Sequence, residues 1–70
     1  MAVITLEPGE SFEHYHHDQS ESILIEGAVQ LSMAQQTSSM IKNQVCSIPA
    51  ETSHTITNIG KLLAKVACRH

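Results

Sequence analysis

Aromatic side chains are nearly absent from this 70-residue chain, which holds one Phe, one Tyr and no Trp. Without them there is no platform for stacking bases. Four basic residues against seven acidic ones, a formal net charge of −3, give no electrostatic footprint for general nucleic-acid binding. Only two cysteines occur, Cys46 and Cys68. One bridge does not make a disulfide-rich secreted scaffold, and both sit in apolar, strand-like contexts where cysteine acts as a small buried hydrophobe. No apolar run approaches the length that crosses a bilayer, so no membrane role is expected. The opening Met-Ala-Val-Ile-Thr-Leu lacks the basic start and long apolar stretch of a secretion signal, and the expected location is cytoplasmic. Seventy residues make one domain, 1–70, with a thin core that gains from a metal or a partner subunit.

The apolar residues alternate instead of recurring at helical spacing. Strands are expected over 2–6, 11–17, 22–26, 28–34, 37–41, 45–48, 54–58 and 62–68. Pro8-Gly9, Asp18-Gln19-Ser20, Gln35-Gln36, Lys42-Asn43-Gln44, Pro49 and Asn58-Ile59-Gly60 mark the turns between them. Within 28–34, Val29, Leu31 and Met33 share one face and Gln30 and Ser32 the other. Within 62–68, Leu62, Ala64, Val66 and Cys68 share a face, with Lys65 and Arg69 opposite. Many short strands broken by turn residues predict an all-β, small antiparallel barrel or sandwich. Charge is uneven: six of the seven acids lie between Glu7 and Glu26, and all four bases lie from Lys42 onward. The two halves are expected to face and neutralise each other, with a basic rim for an anionic substrate as the weaker reading.

Histidine is what the chain has in quantity. His14, Tyr15, His16 and His17 are consecutive, and His54 lies far downstream. On a strand, His14 and His16 point to the same face as Phe12, and His17 points away. Two imidazoles side by side, Glu21 soon after and a distant third histidine are the raw material of a transition-metal site. His54 alone is read more readily as a hydrogen-bonded structural residue. His70 is read as a mobile chain end, and Glu10 and Glu13 as solvated charges.

In this order and spacing the residues resemble the two motifs of the cupins. The first would be Gly9, His14-Tyr15-His16, Glu21 and Gly27. The second would be Asn43, Pro49-Ala50-Glu51, His54 and Asn58. The resemblance runs from about Pro8 to Asn58. The spacer after Gly9 is one residue short, Glu21 lies one residue closer to Gly27 than the pattern has it, and Asn43 and Glu51 replace glycines. Asn accepts a positive φ readily; Glu51 points to a turn that does not need one. Restoring the first spacer would put Tyr15 and His17 at the ligand positions, but tyrosine is a poor ligand for most divalent ions. Counting back from Gly27 puts Ser20, not Glu21, at the third position, which would leave a three-histidine site.

The resemblance implies a jelly-roll barrel that binds a divalent transition metal (Fe, Mn, Ni, Zn or Cu) inside through His14, His16, Glu21 and His54. It also implies a small-molecule substrate or ligand. With one strand before the first motif and one after the second, the barrel is short of strands and its edges need cover, so a homodimer with exchanged or augmented edge strands is expected. Two functions from different classes follow: a metal-dependent enzyme on a small oxygenated substrate, and a non-catalytic binding or sensing module. A third reading, a metal-free cupin on a nucleoside or sugar, would use the histidines as acid–base groups.

Overall fold

The computed structural model describes residues 2–69; His70, expected to be a free chain end, lies outside the described residues. The described residues form eight strands: β1 Ala2–Leu6, β2 Ser11–His16, β3 Ser20–Glu26, β4 Val29–Met33, β5 Gln36–Ser39, β6 Val45–Ile48, β7 Thr52–Asn58 and β8 Ala64–Arg69. They make two four-stranded sheets with orders β1-β8-β3-β6 and β2-β7-β4-β5, every named pair antiparallel. Apart from the β4–β5 hairpin, each successive strand crosses to the other sheet, which is the jelly-roll arrangement of two face-to-face layers. No helix among the described residues is long and apolar enough to cross a membrane.

The alternation dictates the core. Leu6 on β1, Leu24 on β3, Val29 and Leu31 on β4, Ile56 on β7 and Ala64 and Val66 on β8 pack as one buried cluster, joined by Met40. In the second sheet, Leu31, Ile56 and Phe12 are register partners across three strands and floor the interior. Leu62, expected on the inner face of the last strand, stands outside it. The strand begins at Ala64, and Leu62 is 77% exposed in the turn that precedes it.

The turns carry the unusual backbone. The β4–β5 hairpin closes between the partners Met33 and Gln36, so its two loop residues are Ala34 and Gln35, one position earlier than expected. Both have positive φ, 50° and 64°, the pattern of a two-residue turn that follows the twist of its strands. Gly27 (φ 95°) lies against β8, where an added Cβ would come within 2.8 Å of Ala64 Cα. Asn43 has φ 66°, as its chemistry allows. Glu51 also has a positive φ, 56°, which corrects the expectation of a turn without one. This turn keeps the glycine-like shape although a carboxylate side chain fills the position.

The motif residue Asn58 is 1% exposed and ties three chain segments together. Its Nδ2 donates to the Leu6 carbonyl and to the Leu62 carbonyl, each at 2.9 Å, and its Oδ1 accepts from Gly60 N–H at 2.9 Å. Its backbone exchanges bonds with Gly9 and Glu10, both at 3.0 Å. The end of β1, the entry to β2 and the loop before β8 are thereby held at one point.

The outer faces of the two sheets differ. That of β2-β7-β4-β5 carries Ser11, Thr57, Gln30 and Ser39 in one row and Glu13, Thr55, Ser32 and Thr37 in the next. Hydroxyls pair across it, Ser11 with Thr57 at 2.9 Å and Ser32 with Thr37 at 3.1 Å. The outer face of β1-β8-β3-β6 instead carries an apolar row, Val3, Ala67, Ile23 and Val45, one residue from each strand and each the register partner of the next.

Candidate functional site

The inner face of β2 and β7 brings the histidines together. Phe12, His14 and His16 alternate inward on β2 while Glu13 and Tyr15 face out. His14 and His54 are direct register partners, and His16 is the partner of Thr52. The imidazole centroids of His14 and His16 lie 3.9 Å apart, with His54 6.0 Å from His14 and 5.9 Å from His16. The rings stand nearly parallel, 16° to 30° between planes. Phe12 meets His14 edge-on at 5.3 Å. His17 is exposed and packs edge-on against Tyr15 outside the cluster.

His54 is 2% exposed, and its Nδ1 is buried without a hydrogen-bond partner. Its pKa is held below the usual histidine value. Burial is the main cause, the neighbouring His16 and His14 add to it, and a Thr52 backbone group opposes it. His54 is therefore neutral at pH 7, the form that donates a nitrogen lone pair.

The two candidates for the third motif position, Ser20 and Glu21, face opposite ways. Ser20, Ser22 and Leu24 are 2%, 1% and 2% exposed and face the interior. Glu21, between them, turns to the outer face, where Arg69 Nε donates to its Oε1. The structure therefore does not bring Glu21 to His14, His16 and His54, where it was expected as a fourth ligand. One residue of strand register decides this, because neighbouring side chains point to opposite faces. Ser20 opens β3 just after the loop that leaves His16, and its Oγ is a second buried polar atom without a partner.

The Glu51 N–H donates to the His16 carbonyl at 2.9 Å, so the Pro49–Glu51 turn is fastened to the histidine strand. Beside the cluster is a cavity of about 150 Å³ lined by Leu31, Met33, Pro49 and Thr52 among others. None of the three histidines lines it, but two of its lining residues are their neighbours across the sheet: Met33 is the register partner of His54, and Thr52 that of His16. Sequence reasoning placed Met33 on the inner face but did not see this cavity, because it forms between strands far apart in the chain. Among the described residues, no group of three or more His, Cys, Asp or Glu side chains is arranged to hold a metal ion with the rings as they stand. Near-parallel rings do not aim their nitrogens at a common point.

Two four-stranded sheets in jelly-roll order, with a histidine pair on one strand and a third histidine directly opposite, define a small β-barrel with a histidine cluster on its inner wall. The chain belongs to the Cupin domain family (Cupin_2), whose model matches residues 2–68. Solved structures agree on the fold. A cupin superfamily protein from Desulfitobacterium hafniense is 21% identical with a TM-score of 0.82, over 94% of this chain and 60% of that one. A predicted oxalate decarboxylase from Thermotoga maritima is 22% identical with a TM-score of 0.82, over 94% and 59%. The cupin domain of Schizosaccharomyces pombe Cnp3 is 20% identical with a TM-score of 0.83, over 94% and 50%. The chain thus spans about half to three-fifths of these relatives' length. No curated protein matches the sequence.

Proposed function

We propose that the chain is a metal-binding cupin whose divalent transition metal is held by His14, His16 and His54, with a small molecule in the adjoining cavity. The carrying observation is the buried, neutral His54, its Nδ1 unpartnered, beside two further imidazoles on the facing strand. A buried polar atom without a partner costs about 1–3 kcal/mol, and a ligand removes that cost. Three neutral imidazoles suit Zn, Cu, Fe or Ni; without Glu21 in the set, the pull toward Mn weakens. Coordination requires the rings to turn about their side-chain torsions. A metal so bound would polarise an oxygen of a small substrate. Ser20 Oγ is a hydroxyl suited to orient a water or a substrate oxygen from the opposite sheet. Leu31, Met33 and Pro49 give that substrate an apolar wall.

The apolar lining also favours a second reading, a binding or sensing module in which the metal, if bound, is structural. The fold hosts both classes, since one neighbour is described as a predicted oxalate decarboxylase and another as the Cupin_2 domain of a transcriptional regulator from Enterobacter cloacae.

The test is elemental analysis of untagged protein purified without a nickel column, alongside a His14→Ala/His54→Ala variant. Near-stoichiometric metal that disappears in the variant is expected. A metal-free protein that resists reconstitution would overturn the metal site and leave the binding module. Metal-dependent turnover of a small oxygenated acid would separate the enzyme from the sensor.

A further inference from the structure

Every Asp and Glu of the chain stays out of the barrel. Six of the seven acids are exposed, and Glu21 turns to the outer face, where it accepts from Arg69 Nε. The inner walls carry nitrogen and sulfur instead. His14, His16 and His54 stand on β2 and β7, Met40 is part of the buried cluster, and Met33, Cys46 and Cys68 pack against it. Among the described residues, the buried side-chain oxygens belong to Ser20, Ser22 and Asn58, all uncharged.

Strand register sets one of these sulfurs apart. His54 is the direct partner of His14 on β2 and of Met33 on β4, so the row His14, His54, Met33 crosses three neighbouring strands on one face. Directly opposed residues of an antiparallel pair hold their Cβ atoms about 4.5–5.5 Å apart. Met33 is therefore the neighbour of His54 on the side away from His14. His54 is 2% exposed with its Nδ1 unpartnered, while Met33 is half-buried and lines the cavity. The outer members of the row stand about 9–10 Å apart at Cα. An imidazole from one end and a methionine with three rotatable bonds from the other can close that gap.

We propose that Met33 is a fourth protein ligand of the site, and that the four residues select copper and hold it in its monovalent as well as its divalent state. The inference rests on the reading of His14, His16 and His54 as ligands and adds the residue that decides among their metals. Three imidazoles alone serve zinc, which needs only a water to complete its tetrahedron. Iron and manganese gain from a carboxylate oxygen, and Glu21 is not there to give it. A thioether is soft, so it stabilises Cu(I) and adds little for harder ions. Charge points the same way. Three imidazoles and a thioether cancel none of an ion's charge. The cost of taking an ion out of water rises with the square of that charge, so a donor set without a carboxylate accommodates the monovalent ion best.

The test compares the affinities of the full chain for Cu(I) and Zn(II), each measured anaerobically against a chromophoric chelator. The proteins are wild type, Met33→Leu, Cys46→Ala/Cys68→Ala and His14→Ala/His54→Ala. Met33→Leu conserves volume, so the wall and core survive it. Wild type is expected to bind one equivalent of either ion. Met33→Leu should weaken Cu(I) at least tenfold and leave Zn(II) within about threefold. Cys46→Ala/Cys68→Ala should keep both affinities; loss of Cu(I) there would assign the copper to the thiols and overturn the proposal. In that cysteine-free protein, copper X-ray absorption should show a sulfur neighbour that disappears when Met33→Leu is added. Absence of sulfur overturns the ligand without any change at Met33. Zn(II) binding lost in the histidine variant, with Cu(I) indifferent to Met33→Leu, would overturn Met33 alone and leave the three-histidine site standing. A wild type that binds neither ion, or binding of both that survives the histidine variant, would overturn the two readings together.

Discussion

Asn58 concentrates more of the fold in one side chain than any other polar residue described above, and its loss can be worked out bond by bond. Asn58→Ala removes the donors to the Leu6 and Leu62 carbonyls and the acceptor for Gly60 N–H. The Leu6 bond is buried, so its carbonyl loses its partner at about 1–3 kcal/mol; the other two are part-buried, at about 1 kcal/mol or less each. The expected loss is about 3 kcal/mol. A chain of 70 residues commands roughly 4–10 kcal/mol in total, so this is a large fraction. Asn58→Asp preserves shape and the bond from Gly60 but sets a carboxylate against two carbonyl oxygens. Its folded pKa rises above the unfolded value near 3.9. Relative to wild type, Asn58→Asp should then be least destabilised near pH 4 and lose further stability as pH rises through the raised folded value. At pH 7 it should be at least as unstable as Asn58→Ala. Urea denaturation followed by circular dichroism measures this, since the chain has no Trp. An Asn58→Ala loss under 0.5 kcal/mol, or an Asn58→Asp deficit that ignores pH, would refute the latch.

Other perturbations test separate parts of the structure. Gly27→Ala meets Ala64 Cα at 2.8 Å with φ at 95° and should cost about 2–4 kcal/mol, whereas Gly9→Ala, with φ 82° and nothing within 4 Å, should cost about 1 kcal/mol; equal denaturation midpoints would contradict the close approach. His54 has a folded pKa below 6.5, so the unfolded chain binds its proton first as pH falls. Stability of the metal-free protein should be fully present above about pH 6.5 and decline below it, and His54→Gln should flatten the decline; a profile unchanged by that substitution would show that His54 is not the buried neutral group. Ala34→Asn/Gln35→Gly suits the positive-φ hairpin and should raise stability by about 1 kcal/mol in thermal melts. Cys46 and Cys68 are both register partners of Ser22, on opposite sides of it. Their Cα atoms are therefore about 9–10 Å apart, beyond disulfide reach, and thiol titration after air oxidation should count two free thiols per monomer.

Much of the barrel was legible because alternation is a local property. β1 and β6 fall where the pattern sets them, and the inward sides of β2 and β4 follow from parity alone. His14 and His16 could be paired from two positions of spacing, and His54 joined to them through the motif. What escaped depends on distant partners. Glu21 was drawn to the site by its proximity to the histidines in sequence, yet it turns outward to Arg69, 48 residues away. Its orientation is set by where β3 begins, and Ser20, read as loop or as an alternative third position, is the first residue of that strand. The positive φ of Glu51 was hidden by its side chain. Its N–H is committed to the His16 carbonyl, and that contact has no trace in the local sequence.

The direct alignment of His14 with His54 makes spacing, as well as chemistry, a determinant of the site. Along β7 the side chains of His54, Ile56 and Asn58 turn inward because the Pro49–Glu51 connection delivers Thr52 opposite His16. A single added or deleted residue in that connection would shift the whole strand by one step and send His54 out to solvent with its neighbours. Every residue of the cluster would still be present in the chain, yet the cluster would be dismantled. In this barrel a chain length of three residues between β6 and β7 acts as a counting device: it decides on which side of the wall the third imidazole stands.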